Sequence, residues 1–438
     1  MNELLIFPVV VALVCGLCLW RNARLLRRRR FLHDTPTSKA RGVFIGFVEL
    51  KGTAESAAPV TSFLAAASCV HYSWRVDESW SRLVTETYTD SKGIRRTRTR
   101  TESGSTAVAS GGETIPFYLK DDTGVILVRP AGAEMETATV FSEKVGRGDA
   151  LYYAKGPPGS VPDSTHRRHF LETAIPLQTP VFVAGRARER ADVVAAEIAA
   201  NPESEMFLIS TRDEEKVLRN LGVKAWIWGA VGLMTAGVPW GIVLWGKAGL
   251  LPAIVARFSW LPLSVFAAVW IVLWVWTVFN SLVALRQRVR QGWSLIDVQL
   301  QRRHDLIPRI ATTVAGLGAH EAAVQTTLAA LRAQSQATPP GVSGPDFGGV
   351  AGAVRAVVER YPELTAQAGF AALQAQLVET EQRVALARGY YNDIATQLAT
   401  RLKTIPERWV GALVGMRSEP LLAAADFERA PVRVEFAA

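Results

Sequence analysis

Apolar residues along this chain follow three patterns, and each pattern predicts a different element. The first is the long unbroken run. Residues 4–20, 226–245 and 260–279 are almost wholly apolar, close to the roughly 17–25 residues a helix needs to cross a bilayer. The second is the short bounded run. Between 42 and 215, "GVFIGFVELKG", "IPFYLKDDTGVILVRP", "PVFVAGRA" and "EMFLIS" are β-branched or aromatic and end at Gly, Pro or Asp, as strands do. Asp122-Thr-Gly124 is a hairpin signal. "SWSRLVTETYTDSKGIRRTRTRT" alternates on both sides of a turn at 90–93. It predicts a long two-stranded ribbon with Arg96, Arg98 and Arg100 on one face, because side chains alternate with period two. The third pattern is helical. Leu282, Leu285, Val289, Trp293, Ile296 and Leu300 step by three and four, a helix seam. Phe370, Leu377, Val384, Tyr391 and Leu398 recur every seven residues, with Leu373, Thr380, Ala387 and Ile394 between them, which is coiled-coil-like packing. The Pro/Gly/Ser-rich "ATPPGVSGPDFGG" separates these helical stretches and reads as a loop. Together they predict a bundle of long antiparallel helices.

Charge orients the apolar runs. The chain has 438 residues and a net charge of +9. Arg21, Arg24, Arg27, Arg28, Arg29 and Arg30 follow the first run. A cleavable signal carries its positive charge before the apolar stretch, so this order predicts a retained anchor. Arg212, Lys216, Arg219 and Lys224 precede the second run, and Arg286, Arg288 and Arg290 follow the third. The positive-inside rule then places the N-terminus outside and both larger parts, 21–225 and 280–438, in the cytoplasm. Cys69 is the one cysteine outside the first apolar run, which suits a reducing compartment. The six arginines are expected to meet anionic headgroups, at roughly 1 kcal/mol each. The lipid bilayer is thus the expected partner. Nucleic acid is not, since no basic groove with interleaved aromatics accompanies them. Gly237 and Gly241 stand one helical turn apart, which lets another helix approach; the alternative is that Pro239 bends this span.

Candidate chemistry is sparse. There is no phosphate-binding loop, no HExxH, no nucleophile elbow and no kinase signature. His166-x-x-His169 lacks a third ligand at suitable spacing. His320-Glu321 follows two glycines at an expected helix start, where the dipole favours Glu. The expectation is no enzyme activity, no cofactor and no metal. The most charged apolar-periodic stretch is "DVQLQRRHDLIPRI", 297–310. Its Arg303 and Asp305 either hold an anion or a partner helix, or join Asp297 and Arg302 in pairing with Glu379, Glu381 and Arg388 on the second long helix. Pro308 removes an N–H and predicts a bend. From about 261 to that bend, one helix is expected to leave the membrane and enter the bundle.

Two resemblances complete the picture. Gly52, Cys69-Val-His-Tyr72, Pro116-Phe117 with Leu119 and Asp121, Gly124, Glu172 with Ile175 and Pro176, the stretch 181–185 and Phe207-Leu-Ile-Ser210 resemble the GIDE domain of mitochondrial ubiquitin ligases and some bacterial membrane proteins. Those ligases carry a zinc-binding RING. With three cysteines in total no RING can be built, so ligase activity does not carry over. "NSLVALRQRV", "GWSLIDVQLQRRHDLIPRI", "AHE", "YPELTA" and the residues to Tyr391 and Asn392, with Pro406, Pro431, Val432 and Phe436, resemble bacterial LemA proteins. Arg309 and Arg288-Val-Arg290 depart from that pattern. The resemblances imply an α+β protein of the bacterial cytoplasmic membrane. Its expected parts are an anchor with its polybasic segment (1–30), a GIDE-like β-rich domain (42–215), two further spans (224–280) and a LemA-like bundle (281–438). Its expected role is a scaffold that oligomerises at that membrane in envelope stress, membrane remodelling or defence. The alternatives are a platform that recruits or regulates a modifying enzyme, or a ligand-sensing module. Trp293, Pro308 and Tyr391 are expected to shape helix packing, and Gly237 and Gly241 to offer contacts between subunits.

Overall fold

The computed structural model describes residues 3–89, 95–190, 195–202, 206–246, 253–317 and 368–422. His320, Glu321, the turn at 90–93, the Pro/Gly/Ser stretch and Pro431, Val432 and Phe436 lie outside these residues. The elements begin with α1 (Glu3–His33), β1 (Thr37–Ser38), β2 (Gly46–Glu55), β3 (Val60–Thr61), β4 (Ser68–Thr89), β5 (Arg95–Thr114), β6 (Phe117–Lys120) and β7 (Val125–Arg129). They continue with β8 (Glu134–Glu136), β9 (Ala138–Gly146), α2 (Ala150–Ala154), β10 (Ser164–Pro176), β11 (Pro180–Glu189), β12 (Ala196–Ala199) and β13 (Leu208–Ser210). The helices α3 (Glu214–Leu244), α4 (Ala253–Arg257), α5 (Leu261–Leu317), α6 (Ala368–Lys403) and α7 (Glu407–Leu413) follow. They form two compact units, Thr37–Val217 and the remainder.

The β unit holds two sheets. In the first, β2 pairs with both β6 and β11, so the path β2-β6-β7-β12-β11 closes into a small five-stranded barrel. Closure leaves no free edge along that ring. Alternate residues point inward and bury Val48, Leu50, Leu119, Val128, Val183 and Ile198. In the second sheet β4 pairs with β3, β5 and β10, and β10 with β9, over a core of Val76, Val145, Tyr152 and Phe170. The ribbon predicted from alternation is β4–β5, in register from His71↔Thr114 to Thr89↔Arg95 with one slip at Val76/Asp77. Its arginine face is interleaved with carboxylates: Glu102 accepts from Arg82 at 2.8 Å and from Arg100 at 2.5 Å, and Glu86 stands opposite Arg98.

Among the described residues, three helices are long and apolar enough to cross a membrane. Their large apolar side chains point outward: Leu13, Trp226, Met234 and Val272 are 68%, 72%, 73% and 65% exposed. Between the helices the contacts are close. Cβ atoms at Gly229 and Gly232 would run into Trp270 and Phe266, so glycine there is what lets α3 approach α5. Among the described residues, the nearest atom to a Cβ at Gly237 is 3.9 Å away, on Leu263, and at Gly241 nothing lies within 4 Å. The approach within the chain therefore falls two turns earlier than the glycine pair singled out from sequence.

Helix α5 is 57 residues long, on the order of 85 Å at 1.5 Å per residue. It does not end at Pro308, where the sequence predicts the bend, but runs on to Leu317. Proline removes one N–H donor, and the helix continues through it. Leu282, Leu285, Val289, Ile296 and Leu306 are buried. The heptad seam of α6 meets this face: Leu377, Thr380, Val384, Ala387, Tyr391, Ile394 and Leu398 are all buried. Trp293 packs edge-on to Tyr391 with centroids 5.6 Å apart. Val298, apolar but 56% exposed, lies off the seam.

Candidate functional site

The densest polar cluster of the helical unit ties the end of α1 to α5, α6 and α7. Asp34, just past α1, is 2% exposed and Arg401, on α6, is 8% exposed. Arg401 donates to Asp34 and, at 2.7 Å, to Ser281 of α5. Ser281 donates to the second Asp34 oxygen. Arg401 also meets Glu407 of α7 at 3.3 Å, and Glu407 meets Arg30 at 3.5 Å. Burial alone would raise the Asp34 carboxyl, but His33, Arg401 and Ser281 together hold it below its ordinary value. Nearby, Arg288 donates to Thr35 and to the Phe31 carbonyl. A second tie lies deeper among the apolar helices. Asn22 donates to the Ala225 carbonyl at 2.6 Å and accepts from the Trp270 indole at 3.1 Å, joining α1, α3 and α5. These contacts bring the basic residues in the last turns of α1, at the start of α3 and in α5 to one end of the three-helix set, as Arg29 beside Gly222 also shows.

The β unit carries a different cluster. Glu49 on β2 is fully buried. One oxygen accepts from Thr37 at 2.8 Å and lies 3.8 Å from Lys51; the other has no hydrogen-bond partner among the described residues. Lys51 donates at 2.7 Å to Glu214, in the first turn of α3. Burial, and then the neighbouring Glu214 charge, push Glu49 up to about 8, against Thr37 and Lys51. A proton on its free oxygen would be donated to Glu214, which relieves both the orphaned atom and the like-charge repulsion. Beside this pair an open cleft of about 350 Å³ is lined by Lys51, Gly52, Pro180, Phe182, Arg212 and Glu214. Between the ordinary 4.5 and about 8 the folded chain keeps a proton that the unfolded chain has released. That stability is complete below 4.5 and is lost as pH rises towards 8. Glu49→Gln is expected to remove this loss. In melts from pH 5 to 8, the wild type should fall relative to the variant, which should be the more stable of the two at pH 8. Parallel curves would refute the shared proton.

Other residues singled out from sequence are distributed more widely. Arg303 is buried and meets Glu381 at 3.6 Å, the expected interhelical pair. Glu379 instead pairs within its own helix, with Arg383 at 2.6 Å. Asp305 is exposed, Arg302 and Arg388 are half-buried, and Asp297 keeps one buried oxygen without a partner among the described residues. The Arg303–Glu381 pair thus joins the two long helices. Of the arginine run, Arg21, Arg24, Arg27 and Arg29 are exposed and Arg28 is half-buried. Arg21 and Arg24 lie over Trp20, while Arg30 turns inward to Glu407 and Trp274. Tyr391 and Asn392 pin the returning tail: Tyr391 donates to Pro420, and Asn392 exchanges two 2.9 Å bonds with Leu422.

The residues behind the first resemblance prove to be scaffolding. Asp121 caps its turn by accepting from Ala40, Thr123 and Gly124. Glu172 accepts from Ser62, Leu64 and Ala65. A Cβ on Gly52 would strike the Lys120 carbonyl, so glycine lets β2 cross β6 there. His169 meets Ser142 at 3.1 Å. Among the described residues no three His, Cys, Asp or Glu are grouped to hold a metal.

Comparison with known families follows this division. Residues 292–436 match the LemA family. The chain carries a LemA region. That region includes the end of α5, all of α6 and α7, and the Trp293–Tyr391 contact. Residues 85–244 match GIDE, described as an E3 ubiquitin ligase; they run from within the β4–β5 ribbon through α3. No curated protein matches the chain. A LemA region, a GIDE-like region and three long apolar helices together point to a membrane-associated protein.

Proposed function

We propose that this chain is a non-enzymatic scaffold of the bacterial cytoplasmic membrane. In this reading α1, α3 and α5 span the bilayer, the N-terminus lies outside, and the GIDE-like and LemA-like parts both face the cytoplasm. Copies associate into a closed homo-oligomer, the common outcome for repeated self-contacts, in envelope stress, remodelling or defence. The observation that carries the reading is the gathering of the basic flanks at one end of three outward-apolar helices, which the positive-inside rule assigns to the cytoplasm. Gly237 and Gly241, unfilled within the chain, suit a contact between copies.

Cysteines at Thr99 on the ribbon and Gln291 on α5, both exposed, test the topology. Each should resist an impermeant maleimide in intact cells and react after lysis. A cysteine at Trp245, 85% exposed beyond the opposite end of α3, should react in intact cells. Labelling at Thr99 or Gln291 without lysis would refute the arrangement. Mass measurement in nanodiscs tests assembly: a multiple of 47.7 kDa supports it and a constant monomer rejects it. A second reading, a ligand-sensing module, is favoured by the open cleft lined by Lys51, Arg212 and Glu214, whose Lys51–Glu214 ion pair lies next to the buried Glu49.

A further inference from the structure

Helix α7 is short and has two unlike sides. Val410 and Gly411 are buried, and Gly411 packs on Leu402. The other side exposes large apolar groups: Ile405 is 65% exposed, Trp409 63%, Leu413 84% and Val414 50%. Trp409 and Leu413 are four apart in the helix and share one face, and Ile405 immediately precedes the Pro406 cap. The exposed charges around them are cationic, namely Lys403, Arg408 and Arg417. The acidic residue of the helix, Glu407, is turned inward onto Arg30 and Arg401. An apolar ridge with a basic rim is unusual on a surface that faces only water.

Its height on the helical unit is fixed by the same polar cluster. Arg401, one end of the Glu407 pair, donates to Ser281 of α5. The outward apolar surface of α5, with Ile271, Val272 and Trp276 more than half exposed, stops just over one turn before Ser281. Arg30, the other partner of Glu407, lies over Trp274 of α5 at 5.9 Å. Glu407 is therefore tied to the level at which the apolar belt ends.

We propose that α7 and its flanks, residues 405–414, form an interfacial foot that lies in the headgroup–acyl boundary of an anionic bilayer. Trp409 sits where tryptophan is favoured, Leu413 and Ile405 enter the acyl boundary, and Lys403, Arg408 and Arg417 meet headgroup phosphates. Amphipathic segments with an apolar face and a basic rim bind membranes in this way. The foot joins the base of the LemA region to the bilayer without a further span. The inference rests on the membrane reading above.

The test uses the full chain in nanodiscs of phosphatidylcholine with phosphatidylglycerol, carrying an environment-sensitive dye on a cysteine at Leu413 or, as a second variant, Trp409. Ile271→Cys serves as a reference within the apolar belt and Thr99→Cys as one on the ribbon. The unsubstituted chain is the blank, because its cysteines are buried or half-buried. Spin labels on the headgroup or shallow acyl chain should quench the dye at Leu413 and Trp409, which should lose most of the iodide quenching seen at Thr99. Ile271 should be quenched by a deep label. Lipid quenching at Ile271 with iodide quenching at Leu413 and Trp409 would overturn the foot and leave the membrane reading standing. Iodide quenching at Ile271 would overturn both. Shielding of Leu413 from iodide without lipid quenching would show a protein cover, such as a second copy, and would equally overturn the proposal.

Discussion

Arg401→Ala is expected to cost the helical unit about 3–5 kcal/mol, the penalty for stranding a buried charge. The stranded group is Asp34, 2% exposed and held by Arg401, Ser281 and His33. The change also removes the cation between Asp34 and Glu407, so α1, α5, α6 and α7 loosen together. Thermal unfolding in detergent, followed by tryptophan fluorescence, would measure the loss. A second substitution, Asp34→Asn, should restore part of it, because the two residues act as one unit and their costs do not add. Additive costs would mean that the pair is not coupled. The acid side gives an independent check. The Asp34 carboxyl is lowered from an ordinary 3.8, so its contribution is present above that value and is lost as pH falls through the lower folded one. Asp34→Asn should flatten that acid limb.

Arg168→Ala should have an effect of similar size in the β unit. Arg168 and Glu78 are both wholly buried, 3.0 Å apart. The guanidinium donates twice to Glu78 and once each to the carbonyls of Tyr152, Pro157 and Gly159. Removing it leaves one carboxylate and three carbonyls without this partner, at about 3–5 kcal/mol. Burial pushes Glu78 up, but Ser164, Arg168 and Tyr152 outweigh it and keep the carboxyl below its usual range. Lysine should not rescue the site, since a compact ammonium cannot reproduce the planar fork. Arg168→Met combined with Glu78→Leu should recover much of the stability, because apolar replacement of a buried pair is often near neutral. The measurement is the melting of the wild type, the single variants and the double variant. A lysine variant as stable as the wild type would show that charge alone suffices.

Consecutive residues alone determined the three long apolar helices, the strand-rich stretch, the β4–β5 ribbon and the α6 seam from Leu377 to Leu398. Each is a local period or run of hydrophobicity, and burial of one face converts such a period directly into an element. The two family regions were legible for the same reason, in ordered short motifs. Tertiary structure decided which distant side chains meet. Asp34 and Arg401 lie 367 residues apart, and Asn22 and Trp270 lie 248 apart. Glu49 reads as an ordinary polar position in a strand until barrel closure buries it beside Glu214. Gly229 and Gly232, rather than Gly237 and Gly241, are where α3 approaches α5 most closely, because the rotation of α3 about its axis is set by packing against α1 and α5. Likewise Glu379 turned to its own helix while Glu381 met Arg303. A side chain's partner depends on register, rotation and crossing angle between elements, and these follow from the packing of the whole unit rather than from any local period.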